Sequence, residues 1–398
     1  MRSESVFFRA TLGSSAVRPD RATFDLSAQP LAPELESPGS LRAWIGPLLQ
    51  NLRNLSVTVF GDFCLDAYWV LDRADEERSV ETGLPLRRVR EQRYYLGGAG
   101  SVVANLSALG VGTIRVVGVA GDDLFGPELT RLLRQERAVL DGWFVDPALH
   151  TLVYAKPCYG IEEESRIDFG AFNIYTESLQ QRVLEALTSA VAVSDAIILN
   201  QQIPKGLTTP AVIEQINAII ACNPGKLFLA DSRHFAARYV GAAIKVNTHE
   251  AAEILGESGS GPATAEDAIR MARRIQQKLR KPCFITRGEH GMIAVDEDGA
   301  ILPVAGIRID EDTDSVGAGD AVMASIAAAM AGGESAVRAA QLANIAASIT
   351  VRQLQRTGTA SAQQILEALN DLQYLPQVDA QPDLSLAGSS SGSTTAES

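Results

Sequence analysis

Cysteine and histidine are scarce, four of each in 398 residues. Cys64, Cys158, Cys222 and Cys283 lie far apart with no Cys-x-x-Cys pair. That argues against a zinc site and a disulfide scaffold, and it fits a reducing, cytoplasmic compartment. The histidines are equally scattered, so no histidine-centred metal site is expected. Positive charge is short as well: 35 Lys and Arg face 48 Asp and Glu, a net charge of −13. A broad basic surface for nucleic-acid phosphates is therefore not expected, although a local anion pocket stays open. Long apolar runs are missing. The most hydrophobic stretch, 321–333, is well short of the roughly 20 residues that span a bilayer and reads as a buried helix. Residues 1–25 carry Arg2, Glu4, Arg9, Arg18, Asp20 and Arg21 but no apolar core of a secretory signal, so no membrane partner is expected.

What is present is an ordinary globular composition, 46% hydrophobic and 21% charged, which rules out a disordered or collagenous chain. Residues 1–40, rich in Ser, Pro and Ala, read as a flexible extension, and residues 375–398 as a disordered tail. Leu48, Leu49, Leu52 and Leu55 at helical spacing predict a short amphipathic helix over 41–55. From there to residue 374 strand and helix signals alternate. Short apolar runs at 56–60, 113–119, 196–199, 227–230, 243–246 and 283–286 read as buried strands. Helical stretches at 101–109, 178–192, 208–222, 262–280 and 334–352 follow or separate them. Such alternation indicates an α/β domain with a mostly parallel sheet covered on both faces, whose ligands bind beyond the carboxyl ends of the strands. Two stretches break it, 84–96 and 151–169. Extended and mixed in polarity, they suit either a small β lid over a site or two ordinary surface hairpins.

The chemistry points to Asp314-Ser-Val-Gly-Ala-Gly-Asp320, which runs into the apolar helix AVMASIAAAMA. Glycines before a helix let the backbone aim its first N–H groups at an anion, with the helix dipole assisting. A carboxylate at the same helix start can orient and deprotonate an attacking hydroxyl, which is what phosphoryl transfer requires. By itself Asp320 suits a plain first-turn acid equally well. There is no Gly-x-x-x-x-Gly-Lys-Ser/Thr loop, and no Gly-x-Gly-x-x-Gly follows a strand.

Residues 314–320 resemble the DTxGAGD signature of the ribokinase-like (PfkB) sugar kinases, with Ser315 in place of the usual Thr. Further landmarks come in that family's order. Gly61-Asp-Phe-Cys-Leu-Asp66 resembles its first-strand segment, and Gly97-Gly-Ala-Gly-Ser-Val-Val-Ala-Asn105 its glycine signature. Asn247-Thr-His-Glu250 resembles its NxxE motif, and Thr286-Arg-Gly-Glu-His-Gly291 its nucleotide-side strand and turn. Within the family, GDFCLDAYW, Arg166-Ile-Asp168 and Lys205-Gly206 are most similar to the heptose-7-phosphate kinases. The nucleotidyltransferase module fused to some of those has no counterpart here, so the kinase half alone is expected.

The resemblance implies a three-layer α/β/α ribokinase-like fold with a small β lid, and an ATP-dependent kinase of a sugar or sugar phosphate. It makes Asp320 the general base, with Gly317, Ala318 and Gly319 supplying anion-hole amides. Asp66, Gly97, Gly98 and Ser101 would meet the acceptor. Arg166 and Lys205 would take a phosphate already on it, or else be solvated surface. Asn247, Thr286, Gly288, Gly291 and Asn344 would face the nucleotide. Glu250 would hold Mg²⁺ through water, since this hard ion keeps its hydration shell. At position 101 the heptose kinases carry an Asn that contacts the sugar; Ser offers one hydroxyl instead of an amide, so a different acceptor is conceivable. Dimerisation through the lid is implied by analogy. The alternatives are a fructokinase- or ribokinase-type enzyme and a catalytically silent sugar- or nucleotide-binding relative.

Overall fold

In a computed structural model of the chain, the described residues are 36–72, 77–160, 162–257 and 263–375. The expected extension up to residue 35 and the tail from 376 lie outside them. Helix α1 (Pro38–Asn51) begins inside the stretch read as extension, earlier than Leu41. The Ser37 hydroxyl accepts the N–H of Ser40 and Pro38 occupies the first turn, the usual chemistry of a helix start. The last residues of the expected helix, 52–54, form a 3₁₀ turn that leads into β1 (Ser56–Gly61).

The remaining elements follow in chain order. They are β2 (Phe63–Asp72), β3 (Arg88–Gly98), α2 (Ala99–Leu109), β4 (Thr113–Gly121), α3 (Gly126–Gln135), β5 (Val139–Asp146), β6 (Leu152–Tyr159), β7 (Glu162–Glu163) and β8 (Ile167–Phe169). Next come α4 (Glu177–Ala192), β9 (Ala196–Gln201), α5 (Pro210–Cys222), β10 (Leu227–Ser232), β11 (Ala243–Asn247), α6 (Thr248–Leu255) and α7 (Ala265–Leu279). The chain ends with β12 (Cys283–Thr286), β13 (Met292–Val295), β14 (Ile301–Val304), α8 (Ala318–Ala331), α9 (Ala336–Thr350) and α10 (Ala362–Ala368).

Nine strands form the central sheet in the order β14-β13-β12-β11-β10-β9-β1-β4-β5. It is parallel from β12 to β5 and antiparallel only at the β12–β13 and β13–β14 pairs. Successive side chains of a strand point to opposite faces, and both faces are apolar here. In β9, Ala196 and Ile198 enter the core beneath α1, α2, α8 and α9, whereas Ile197 and Leu199 enter the core beneath α4, α5 and α7. Helix α8 is buried almost all round, which explains its unbroken run of small apolar residues. Among the described residues no helix is long and apolar enough to cross a membrane.

A second sheet, β3-β2-β6-β7 with β8 on β6, forms the lid. One of its two inner strands is β2, whose start falls in 61–66, the stretch assigned by resemblance to the first-strand segment. Beyond Gly61 the chain leaves the central sheet and pairs with β3 and β6 instead. The lid strand expected from Leu84 starts at Arg88, because residues 84–87 are exposed and pair only through a Pro85–Arg78 bridge.

Candidate active site

At the carboxyl ends of the parallel strands a cleft of about 870 Å³ opens between the central sheet and the lid. Its floor is the start of α8. Asp314 fixes the approach: its Oδ1 accepts the N–H of Val316 and its Oδ2 that of Gln355. Gly317 then adopts φ +79°, a left-handed conformation that turns the chain into the helix, and a β-carbon there would meet Thr357 at 2.8 Å. Asp320 follows in the first turn and lines the cleft. Burial, then Asp231, pushes its carboxyl up to about 7, against the opposing pull of Lys245 and Ser101. Ser101 Oγ is buried and faces this carboxyl, near enough to favour its ionised form although it makes no well-formed hydrogen bond. It lies 3.5 Å from where a β-carbon of Gly317 would sit. The expected Ala318 donor is already engaged, its N–H donating to the Ser315 carbonyl at 3.2 Å, which leaves Gly317 and Gly319 on the cleft. A base near neutrality beside these two residues at a helix start is suited to taking a proton from a hydroxyl while an anion is stabilised.

Asp66 stands at the lid end, on β2. Its Oδ2 accepts the Thr357 hydroxyl at 2.7 Å, and Lys156 Nζ lies 3.4 Å from Oδ1. Lys156 is almost fully buried, donates to the Tyr68 hydroxyl at 3.2 Å and sits over that ring. Gly97 lies across the strand pair, where a β-carbon would come within 2.8 Å of Asp66 Oδ2. At Gly98, φ is +55° and a β-carbon would meet the Asp62 carbonyl at 2.6 Å, so both glycines are demanded by close backbone approach. Asp62 is buried and accepts the amides of Gln202 and Ile203, which ties the loop after β9 to the cleft; burial pushes its carboxyl up to about 6.

At the start of α6, Asn247 and Glu250, expected to face the nucleotide and its Mg²⁺, cap each other. The Asn247 Oδ1 accepts the Glu250 amide and Glu250 Oε2 accepts the Asn247 amide. Both also line the cleft, so the capping role and the site role coincide. Burial raises the Glu250 carboxyl. Among the described residues no group of three or more His, Cys, Asp or Glu side chains could cage a metal ion. Among the described residues Glu250 Oε1 has no hydrogen-bond partner, and Glu250 lines the cleft. A second, more apolar hollow of about 370 Å³ continues the cleft, sharing Thr286, Gly288, Ser315 and Gly319 with it and adding Gly291, Ala318 and Asn344. Asn344 Nδ2 donates to the Ala305 carbonyl at 2.6 Å, so it acts there at least as a structural tie.

The fold thus gathers Asp66, Gly98, Asn247, Glu250, Gly317 and Asp320 into one cleft. Gly97 and Ser101 stand just behind its wall. Arg166 lines it, although two hydrogen bonds bind it to Asp168 and it stacks on Tyr154. Lys205 is exposed and does not line the cleft, in contrast to its expected place. It sits in an exposed turn just after the segment that Asp62 pins down, next to Gly206, which packs against the Asp62 carboxyl. Lys156, Thr357, Asp231 and Lys245 line or buttress the site and escaped the sequence reading. Lys245 had left a signal: it is a lone charge in the apolar strand AIKVN, two residues before Asn247 and so on its face.

Residues 55–363 match the sequence model of the pfkB family carbohydrate kinases. The protein named "Bifunctional protein HldE" from Caulobacter sp. (strain K31) is 34% identical over 337 residues, 83% of this chain and 66% of that one. Its namesake from Caulobacter vibrioides is 35% identical over 309 residues, 75% of this chain and 60% of that one. The chain therefore spans less than two thirds of the length of these two relatives. Among solved structures, Arabidopsis thaliana ribokinase complexed with ribose and ATP superimposes with a TM-score of 0.63 at 17% identity, covering 79% of this chain and 98% of that one. This likeness shows the ribokinase-like fold. With the motifs, the cleft and the family match in agreement, the chain belongs to the pfkB family of carbohydrate kinases.

Proposed function

We propose that this protein is an ATP-dependent kinase that transfers the γ-phosphoryl group to a hydroxyl of a phosphorylated sugar of the heptose 7-phosphate type, with Asp320 as general base. The observation that carries this reading is the carboxyl group of Asp320, poised near neutrality beside Gly317 and Gly319 in a cleft that also holds Asp66. The acceptor hydroxyl loses its proton to Asp320, and the amides at the start of α8 receive the charge of the migrating group. Asp66, held by Thr357, orients the acceptor. Mg²⁺ bound with the nucleotide beside Glu250 would neutralise phosphate charge. Lid residues Tyr154 and Arg166 line the acceptor end of the cleft.

A phosphorylated acceptor is supported by the positive charge of Lys156 and Arg166 at the Asp66 end, and by the likeness to the heptose-phosphate kinases and the HldE relatives. One observation favours an unphosphorylated sugar instead: Arg166 is already committed to Asp168. An ADP-release screen with MgATP and heptose 7-phosphate, fructose 6-phosphate, fructose and ribose separates the two. Turnover is expected with a phosphorylated acceptor and little with the neutral sugars. Thermal stabilisation by ligands without any ADP release would instead identify a silent binding relative. We further propose a homodimer formed through the lid, supported by Leu86, Val89 and Ile167 exposed on its strands and their approaches.

A further inference from the structure

Strand β11 is apolar except for one lysine. Ala243, Ile244 and Val246 are fully buried around Lys245, and Asp231 stands directly opposite it across the β10–β11 pair. Lys245 Nζ donates to Asp231 Oδ2 at 2.8 Å, with both side chains about nine-tenths buried or more. A buried ion pair of this kind seldom stabilises a fold more than apolar residues of the same size would, because both ions lose their water. An ammonium group also has three N–H donors, and Asp231 is the only hydrogen-bond acceptor of Lys245 among the described residues.

The place of the ammonium explains its retention. It lines the cleft, and a β-carbon on Gly319 would lie 3.1 Å from Nζ, so it rests against the anion loop itself. The surrounding charge is mostly negative: Asp231, Asp320 and Glu250 all act on Lys245. Burial pulls its pKa down, but these carboxylates outweigh it and the net shift is upward, so the group stays charged. A cleft with so many carboxylates would repel a polyphosphate at the point where the amides are to hold it. A fixed cation in a poorly hydrated spot counters that repulsion far more strongly than one in water.

We propose that Lys245 is a catalytic residue of the transfer step, its ammonium group gripping the migrating phosphoryl group beside the amides of Gly317 and Gly319 while Asp231 holds it in position. This rests on the kinase reading above and adds to it the cation at the reacting phosphorus. In the step, the acceptor oxygen bonds to the γ-phosphorus as its proton passes to Asp320. The bond from phosphorus to the bridging oxygen breaks, and its electron pair leaves with ADP. Lys245 directs its uncommitted N–H groups at a non-bridging oxygen and gives up no proton.

The test compares wild type with K245M, K245R and the doubly neutral D231N/K245M, the last kept in case a lone buried Asp231 prevents folding of K245M. Calorimetric titrations with ADP and with the non-hydrolysable analogue AMP-PNP, both with Mg²⁺, need no acceptor. K245M should lose about tenfold or more in AMP-PNP affinity while ADP affinity stays near wild type, and K245R should recover most of that loss. Turnover of K245M should fall about 100-fold or more. The acid limb of its kcat profile should also move to higher pH. The groups acting on Asp320 are Asp231, Lys245, Ser101 and Asp66, and removing Lys245 deletes the cation that draws its pKa down. In D231N/K245M the limb should move back to lower pH, because Asp231 pushes harder than Lys245 pulls. Equal changes in ADP and AMP-PNP affinity with an unmoved acid limb would overturn the assignment. Wild-type protein that binds neither nucleotide would remove the kinase reading itself, and this inference with it.

Discussion

Burial holds the carboxyl group of Asp320 near neutrality, with consequences for rate and stability of opposite sign. As a base it acts only when ionised, so kcat should climb through about pH 7 and level off above it. Asp320→Asn should leave nucleotide affinity nearly intact and remove most turnover, a result that calorimetry and ADP release read separately. For stability, an ordinary Asp ionises near pH 4 in the unfolded chain but only near pH 7 here, so the folded state binds the proton more tightly between those values. The cost of the buried charge is absent at pH 4, grows as pH rises and is complete above pH 7. Asp320→Asn should therefore melt above wild type at pH 8 and close to it at pH 4. A lower melting temperature for the variant at pH 8 would contradict the buried placement of this group. Thr357 offers a second check. Its hydroxyl fixes Asp66 Oδ2, so Thr357→Val should raise the acceptor KM about tenfold or more with little change in kcat, since a lost hydrogen bond to a charged group is worth about 1.5–3 kcal/mol.

At the scale of elements, α1 is the piece that lies outside the matched family region, yet its inner face is part of the core. Leu41, Ile45 and Leu52 are fully buried, Gly332 of the loop after α8 abuts Leu48, and Arg42 donates to the Leu366 carbonyl and to Asn370 near α10. Ile45→Ala should cost about 2–5 kcal/mol, seen as a lower urea midpoint with an unchanged m-value. The alternating strands and helices were legible because a strand buried on both faces and a helix ended by glycine each leave a local mark. Gly110 caps α2 in the left-handed conformation, as the sequence indicated. The role of β2 was not legible. The segment from Phe63 to Asp72 has the same apolar character as β1, and nothing local states that the chain changes sheets at Asp62. The same holds for the antiparallel edge formed by β13 and β14, which depends on which strand finds a free neighbour.

For the whole molecule, the proposed dimer places its interface on the outer face of the lid. Val89 and Ile167 are exposed on its strands at 42% and 47%. Sedimentation equilibrium should give a dimer, and Val89→Asp with Ile167→Asp should give a folded monomer. A monomeric wild type would exclude the lid interface. Composition, the order of strands and helices, and the small set of glycines and carboxylates around Asp66, Asn247–Glu250 and 314–320 were determined by the sequence itself. They depend on residue type and on spacing along the chain, which any local stretch displays. The Asp231–Lys245 pair, the Lys156–Asp66–Thr357 network and the withdrawal of Lys205 from the cleft were decided only by tertiary structure. Neighbours in a parallel sheet are joined through crossover helices, and the residues that meet across them lie far apart in sequence. Their register is set by how both apolar faces pack, which no single segment records.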